Sequence, residues 1–519
     1  MSSASGSSIL CFTLLVAGVG AGAWVLTRRA APVGELPHPA GWALAGRGLG
    51  LGSTAVLLGG TVYTAYTVVA VPGLTYATGG FGLYALTYTV LLTPAALLVL
   101  PRLHSFARRH GLVTTADIAL ARHGSHALSL AVVLSGLLAS MPYLALQVVG
   151  LEAALRAMGV DPTDPRVVPG ILLVFTLVAA AVLPRGLRIC ARVAAFKALL
   201  TGMLLTVALV LLLRSGTSSS WVFHEANRRL TAGGMSQVPP DGTHTAYATL
   251  ALGSVLAQLV YPQVVTVALA ARRTDTLRRA VLALPMWTLA LGGFAYLGFA
   301  ALAYGITAPG GHAEIAAPAL LRHLAPPWLA GLLLGGIAVA ALLPAAVMAI
   351  SMATLVARNI YTEYFNPTAT PKHEVRIART AAPAVLLGAL VFALLLKPQD
   401  AVNLHLLGGV WIIQTVPTVG SAPFTRWFHP RALLAGWAAG MVTGTALVVA
   451  HGFDSVVSLG FGHTSVSLYV ALVALALNLA VTTVLTLLLD RVGVPRGPDH
   501  RCARTAPPRR GSRFAFRVD

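Results

Sequence analysis

Two stretches carry the residues whose types and spacing could handle a small solute and an ion. The first is Gly59-Gly60-Thr61-Val62-Tyr63-Thr64-Ala65-Tyr66-Thr67, followed by Val71-Pro72-Gly73. The second is Gly253-Ser254, then Gln258-Leu259-Val260-Tyr261-Pro262-Gln263. Each sets hydroxyls, amides and helix-breaking Gly and Pro inside an otherwise apolar run. Proline removes a backbone donor and opens the helix, exposing carbonyls that can hold a cation and amide ends that favour an anion. The alternative is that Gly, Pro and Thr only let neighbouring helices pack closely. The chemistry indicated is binding rather than catalysis. All sixteen acidic residues fall in loops, the tail or near helix ends, with Glu152 nearest to membrane depth. A proton relay built on carboxylates is therefore disfavoured. No cluster of His, Cys or carboxylates has metal-ligand spacing, Cys11, Cys190 and Cys502 are far apart, and no Ser/His/Asp set lies at one depth, so an enzyme is not expected.

The elements that position these residues are membrane helices. Of 519 residues 56% are hydrophobic and 10% charged, far fewer charges than a water-exposed surface needs, and the mean hydropathy is +0.78. Apolar runs, including 50 to 72, 167 to 184, 191 to 213, 246 to 271, 328 to 357, 401 to 424 and 465 to 489, give about thirteen transmembrane helices in an all-α polytopic membrane protein. The run Ile9 to Leu26 lacks a basic stretch before it and reads as a retained helix.

If the loops alternate sides, one set with the C-terminal tail holds 29 of the 36 basic residues. The positive-inside rule then places the N-terminus outside and the C-terminus in the cytoplasm. The net charge of +20 is in this light a topology signal rather than a nucleic-acid footprint. In that count Arg185, Arg188, Arg192 and Lys197 belong to a cytoplasmic loop, leaving no Arg or Lys at the depth of the two interrupted helices. The tail from Arg491 is basic, Pro-rich and expected to be disordered against anionic lipid. The outward stretch Ser215 to Thr245 is long and polar enough to cover an outer vestibule.

The two interrupted helices are five spans apart and run in opposite directions, the pattern of two inverted five-helix repeats whose first helices meet at the site. Residues 50–424 form that 5+5 core. Residues 1–49 hold the outside terminus, an extra helix and a cytoplasmic loop; 425–490 add two helices; 491–519 are the tail.

The run Tyr63 to Gly80, with Met141-Pro142-Tyr143-Leu144-Ala145-Leu146-Gln147-Val148-Val149-Gly150, Pro344-Ala345-Ala346-Val347-Met348, Arg358-Asn359-Ile360-Tyr361 and Leu406-Leu407-Gly408-Gly409-Val410-Trp411, resembles the sodium:solute symporter family. The likeness covers nearly all of residues 5 to 490 and is greatest to the branch of bacterial monocarboxylate permeases. It implies the inverted-repeat fold, a bacterial plasma membrane location, and sodium as coupling ion with no other cofactor.

The resemblance also places one sodium site between the first and eighth core helices. Carried onto this chain, the carbonyls of Gly60 and Tyr63 face the ion, and Ser351 and Thr354, spaced by three on one helix face, supply hydroxyls. A second register places the hydroxyl side near Leu343 and Pro344. The chain departs from its relatives at Val182-Leu183-Pro184, Ala198, Ala349 and Gln263. For the substrate the candidates are Thr64, Tyr66, Thr67, Thr87, Thr89, Gln258, Tyr261, Gln263 and Gln414, with Trp411 as an apolar wall or gate. The expected function is sodium-coupled uptake of a short monocarboxylate. The alternatives are an amino acid or other neutral or zwitterionic solute, which the absence of an intramembrane cation permits, and a transporter-like sensor that binds without concentrating.

Overall fold

The computed structural model describes residues 5–29, 38–160, 170, 185–240, 242–308, 312–395, 401–461 and 464–496. The run expected at 167 to 184, apart from Gly170, and the tail past Arg496 lie outside the described residues.

The principal helices are α1 (Gly6–Arg29), α2 (Leu51–Val62), α3 (Val71–Thr78), α4 (Tyr84–Arg109), α5 (Thr115–His123), α6 (His126–Ala157), α7 (Leu187–Arg214), α8 (Ser219–Ala232), α9 (His244–Val260), α10 (Pro262–Ala270), α11 (Leu284–Ala303), α12 (Ala316–Leu324), α13 (Pro327–Leu355), α14 (Pro371–Leu395), α15 (Ala401–Ile412), α16 (Pro430–Ala450) and α17 (Val470–Arg491), with short helices at Pro39–Ala43 and Thr274–Val281. Among the described residues ten helical stretches are long and apolar enough to cross a membrane, eleven when the bent pair α9–α10 counts as one. The core sits around α13, whose apolar stretch is wholly buried, and α1 packs along it: a Cβ on Gly331 would come within 2.2 Å of the Ser8 carbonyl oxygen.

Loops assigned by charge to one side meet one another. Arg47 donates to Leu112 O, Arg108 to Arg272 O, Arg122 to Thr425 O and Arg188 to Ala45 O, while Arg358 pairs with Asp117. At the opposite end Tyr76 donates to Ile306 O, Arg322 to Ala157 O and Asn403 to Phe453 O. The stretch 215–245 contains α8 and folds over the far end of α3. Gly79 there has φ +60°, and a Cβ on Gly80 would lie 1.9 Å from Gln237 O, so only glycine admits this close approach.

The two interrupted helices are neighbours and antiparallel. Leu49, just before α2, exchanges backbone hydrogen bonds with the end of α10, Leu49 N to Ala270 O at 3.2 Å and Arg272 N to Leu49 O at 2.9 Å. α10 also packs against α2. The second break falls at Tyr261 (φ −57°, ψ 133°), where the proline that follows excludes the helical conformation.

The first break lies at Tyr63 to Ala65, and Pro72 falls beyond it, in a helical run that continues from the π-helical turn Tyr66–Ala70 into α3. Two expectations are corrected. The protein is not all helix: β1 (Val456–Phe461) and β2 (Thr464–Tyr469) form an antiparallel hairpin before α17. There the alternation Ser-Val-Ser-Leu-Tyr has period two, so the run expected from 465 begins as a strand. Lys197 is no loop residue but a buried side chain in the middle of α7.

Candidate functional site

The break at Tyr63 arises from what flanks it. Gly59 has no Cβ, and the Trp287 indole of α11 occupies the space, 2.1 Å from where that Cβ would be. The indole stacks on the Tyr63 ring at 5.6 Å, and Tyr63 Oη hydrogen-bonds Thr288 Oγ1 at 2.8 Å. The Tyr63 side chain is thus drawn to α11 while its carbonyl turns the other way.

An interrupted helix in a membrane must find partners for the backbone groups it frees. Here they come from side chains. Lys197 Nζ donates to Gly60 O at 2.9 Å and Tyr63 O at 2.8 Å. Tyr143 Oη on α6 reaches Val62 O at 3.4 Å. Gln147 Oε1 accepts from Ala65 N at 3.2 Å, and Thr64 Oγ1 from Tyr66 N at 3.2 Å. Thr64 therefore serves the break itself.

Beside the break lies an aromatic cluster around His405 of α15. Its imidazole is 4.5 Å from the Tyr66 ring, 4.9 Å from Tyr143 and 6.4 Å from Tyr88 of α4. Tyr143 continues to Tyr261 at 5.2 Å, and Gln258 Nε2 points to Tyr143 Oη at 3.5 Å. Tyr143 so spans from one broken helix to the other. Tyr261 Oη lies over Gly408, where a Cβ would come within 2.4 Å of it.

Several buried polar atoms here have no hydrogen-bond partner among the described residues: Tyr66 Oη, Thr67 Oγ1, Gln258 Oε1, Tyr261 Oη, both amide atoms of Gln263, and His405 Nδ1. Burying such groups unpaired costs about 1–3 kcal/mol each, so a cluster of them marks a place where a ligand completes the bonding.

Thr89 adjoins the Tyr63 hydroxyl, and each of the other expected residues outside this cluster has a hydrogen-bond partner. Thr87 Oγ1 meets Tyr247 Oη at 2.6 Å, and Thr89 donates to Leu86 O of its own helix at 2.8 Å. Trp411 Nε1 donates to Thr445 Oγ1 of α16 at 3.0 Å, and Gln414 is held by Val410 O and Asn478. Both face α16 and α17. Ser351 and Thr354 are buried on α13, which packs against α2 and α7, and donate to Val347 O and Ile350 O one turn back.

Sequence reasoning missed Lys197, His405, Tyr143, Gln147 and Tyr88. A signal existed for the first two: each is an ionisable residue inside an apolar run, 191 to 213 and 401 to 424, and such residues face the interior of a bundle.

A polytopic helical protein with two broken, antiparallel helices around unsatisfied polar groups has the architecture of a solute transporter. The sodium:solute symporter family matches residues 42–444. A monocarboxylate transport permease protein of Rhizobium johnstonii is 37% identical over 455 residues, 88% of this chain and 91% of the relative. An uncharacterised Bacillus subtilis symporter, YodF, is 28% identical over 77% of this chain and 80% of its own. The chain belongs to the sodium:solute symporter family and is a membrane permease rather than an enzyme. Its fold is shared with a Na+-coupled sialic acid symporter solved in a substrate-bound outward-open state, with a TM-score of 0.76 at 14% identity over 95% of this chain and 98% of that one.

Proposed function

We propose that this protein is a secondary active transporter that takes up a short-chain monocarboxylate together with sodium. The observation that carries the substrate site is the set of unpartnered polar atoms on Tyr66, Gln258, Tyr261 and His405 within one aromatic cluster. A carboxylate taken out of water needs several charge-assisted hydrogen bonds, about 1.5–3 kcal/mol each. Tyr and His donors at this place provide them, and the rings of Tyr66, Tyr88 and Tyr143 enclose a short alkyl chain. The 37% identity to a monocarboxylate permease supports the same substrate class. Gln263 and Thr67 extend the polar lining.

For the ion, the carbonyls of Gly60 and Tyr63 form a donor set suited to a monovalent cation, since they hold an ammonium. Ser351 and Thr354 spend their protons on their own helix and keep oxygen lone pairs free for a cation, which supports their place in the same site. The presence of Lys197 in the core removes the argument for a neutral or zwitterionic solute that rested on the lack of an intramembrane cation.

The meeting of the start of α2 with the end of α10 supports a 5+5 inverted repeat in residues 50–424, followed by two further helices, within about thirteen spans. The meeting of basic loops at one end supports a cytoplasmic C-terminus and an outside N-terminus in a bacterial plasma membrane. Alternating access then moves one bundle against the other around the two breaks.

The test is uptake of labelled pyruvate, lactate, acetate and propionate into proteoliposomes, with and without an inward sodium gradient at fixed pH. Sodium-driven accumulation that unlabelled acid competes away is expected. Binding without accumulation would make the protein a sensor, and indifference to all four acids would remove the substrate class.

A further inference from the structure

Lys197 lies ten residues into α7, 2% exposed, and both hydrogen bonds from its ammonium go to carbonyls of the broken helix, Gly60 and Tyr63. A buried charge ordinarily has a carboxylate beside it. Among the described residues none is within reach. Among the described residues the helices that pack most closely on α7 are α1, α2, α11, α12 and α13, with the short helix Pro39–Ala43, and none of them contains Asp or Glu. The charged or titratable groups they carry are Cys11, Arg28 and Arg29 on α1, Tyr296 on α11, and Arg322 and His323 on α12. α7 itself adds Arg188, Cys190, Arg192 and Arg214. The negative charge that holds the ammonium is therefore the pair of carbonyl dipoles at the end of α2, reinforced by the C-terminal end of the helix dipole.

Those two carbonyls are the ones assigned to sodium in the proposed function. A sodium ion bound to them and the ammonium bound to them would occupy the same place, and two unit positive charges about 4 Å apart repel strongly in such surroundings. We propose that the Lys197 ammonium and a sodium ion are alternative occupants of the Gly60–Tyr63 carbonyl pair. Lys197 is a tethered cation that satisfies the break when the ion is away and must leave the pair for the ion to bind.

Two consequences follow from the geometry. The carrier without sodium does not leave two bare carbonyls unpaired in the protein interior, so the broken helix keeps its shape through the return step. In addition, sodium sees only the fraction of molecules from which the lysine has swung away, so its apparent affinity is lowered by that fraction. Lys197 thereby sets the sodium concentration at which transport turns on. The role rests on the sodium-coupled reading; the mutual exclusion rests on the two hydrogen bonds.

Equilibrium binding of radiolabelled sodium to the purified, detergent-solubilised protein, at one fixed pH and without substrate, tests it. Lys197→Met is expected to bind sodium at least tenfold more tightly than wild type, and Lys197→Arg, which keeps a tethered cation, no more tightly than wild type. Lys197→Gln replaces the methionine variant if that one fails to fold. Equal sodium affinity in wild type and the neutral variant, or no sodium binding by a folded neutral variant, overturns the proposal. A wild type that binds no sodium beside a neutral variant that does upholds the exclusion and removes sodium coupling from the proposed function, so the two readings fail separately.

Discussion

The imidazole of His405 stands 4.5 Å from the ring of Tyr66, bringing α15 against the segment just past the first break. Its Nδ1 is buried and has no partner among the described residues. Replacing His405 with Leu keeps an apolar filler and removes the polar edge. If the imidazole bonds the carboxylate, KM rises by about ten- to a hundredfold, the equivalent of about 1.5–3 kcal/mol. Uptake kinetics of the variant in proteoliposomes, with sodium saturating, measure this; an unchanged KM assigns His405 to packing.

Gln263 follows Pro262 at the second break, and both of its amide atoms are buried and unpaired. Gln263→Leu is expected to weaken substrate binding about tenfold while leaving sodium binding near wild type. Identical uptake in the two proteins would take this residue out of the site.

Gly408 is where α15 admits the Tyr261 hydroxyl. An added Cβ would lie 2.4 Å from Tyr261 Oη and 2.5 Å from Ala139 O. Gly408→Ala should cost about 1–3 kcal/mol of stability or displace Tyr261. Thermal unfolding in detergent reads the first outcome and substrate KM the second; a variant normal in both would show that the contact yields without consequence.

Ser351→Ala tests the hydroxyl side of the ion site. The serine donates to Val347 O at 2.8 Å, so only its lone pairs remain for an ion. The variant should raise the sodium concentration for half-maximal uptake, and an unaltered sodium dependence would confine the site to the two carbonyls.

Asp117 closes the network at the end of the bundle that carries most of the basic loops. It accepts from Arg358 Nε at 2.6 Å, Val113 N at 2.9 Å and Asn359 Nδ2 at 2.9 Å. Burial alone would raise its pKa, but the Arg358 charge and these hydrogen bonds hold it below the usual value. A carboxyl depressed in the folded state stabilises the protein at pH values above its unfolded pKa of about 3.9, and this contribution is lost as pH falls through the folded value. Asp117→Asn leaves Arg358 with Glu374, 3.2 Å away, as its remaining carboxylate and should cost about 1.5–3 kcal/mol near neutral pH. Melting temperature against pH checks both points. The gap between wild type and variant should narrow in acid, and a gap that stays constant would contradict the ionised state.

The two interrupted helices were legible in the chain because Gly-Gly, Tyr-Pro and clustered hydroxyls are out of place in an apolar run. Their exact breaks were not. Pro72 is the strongest breaker in the first helix, yet the chain parts at Tyr63, where Trp287 claims the Tyr63 ring and Lys197 claims its carbonyl. Both partners lie far along the sequence, and no local pattern announces them.

Composition and periodicity by themselves determined that the chain is a bundle of membrane helices, how its loops divide by charge, and which helices are broken. Those features follow from the cost of placing charges and unpaired backbone in hydrocarbon, which acts on each segment separately. Only the tertiary structure decided what stands at the breaks. Whether Gln414 lines a path or joins helices, and whether Lys197 lies in a loop or on the Gly60 carbonyl 137 residues earlier in the chain, depends on the depth and rotation of helices relative to one another. Packing between segments distant in sequence sets those two quantities.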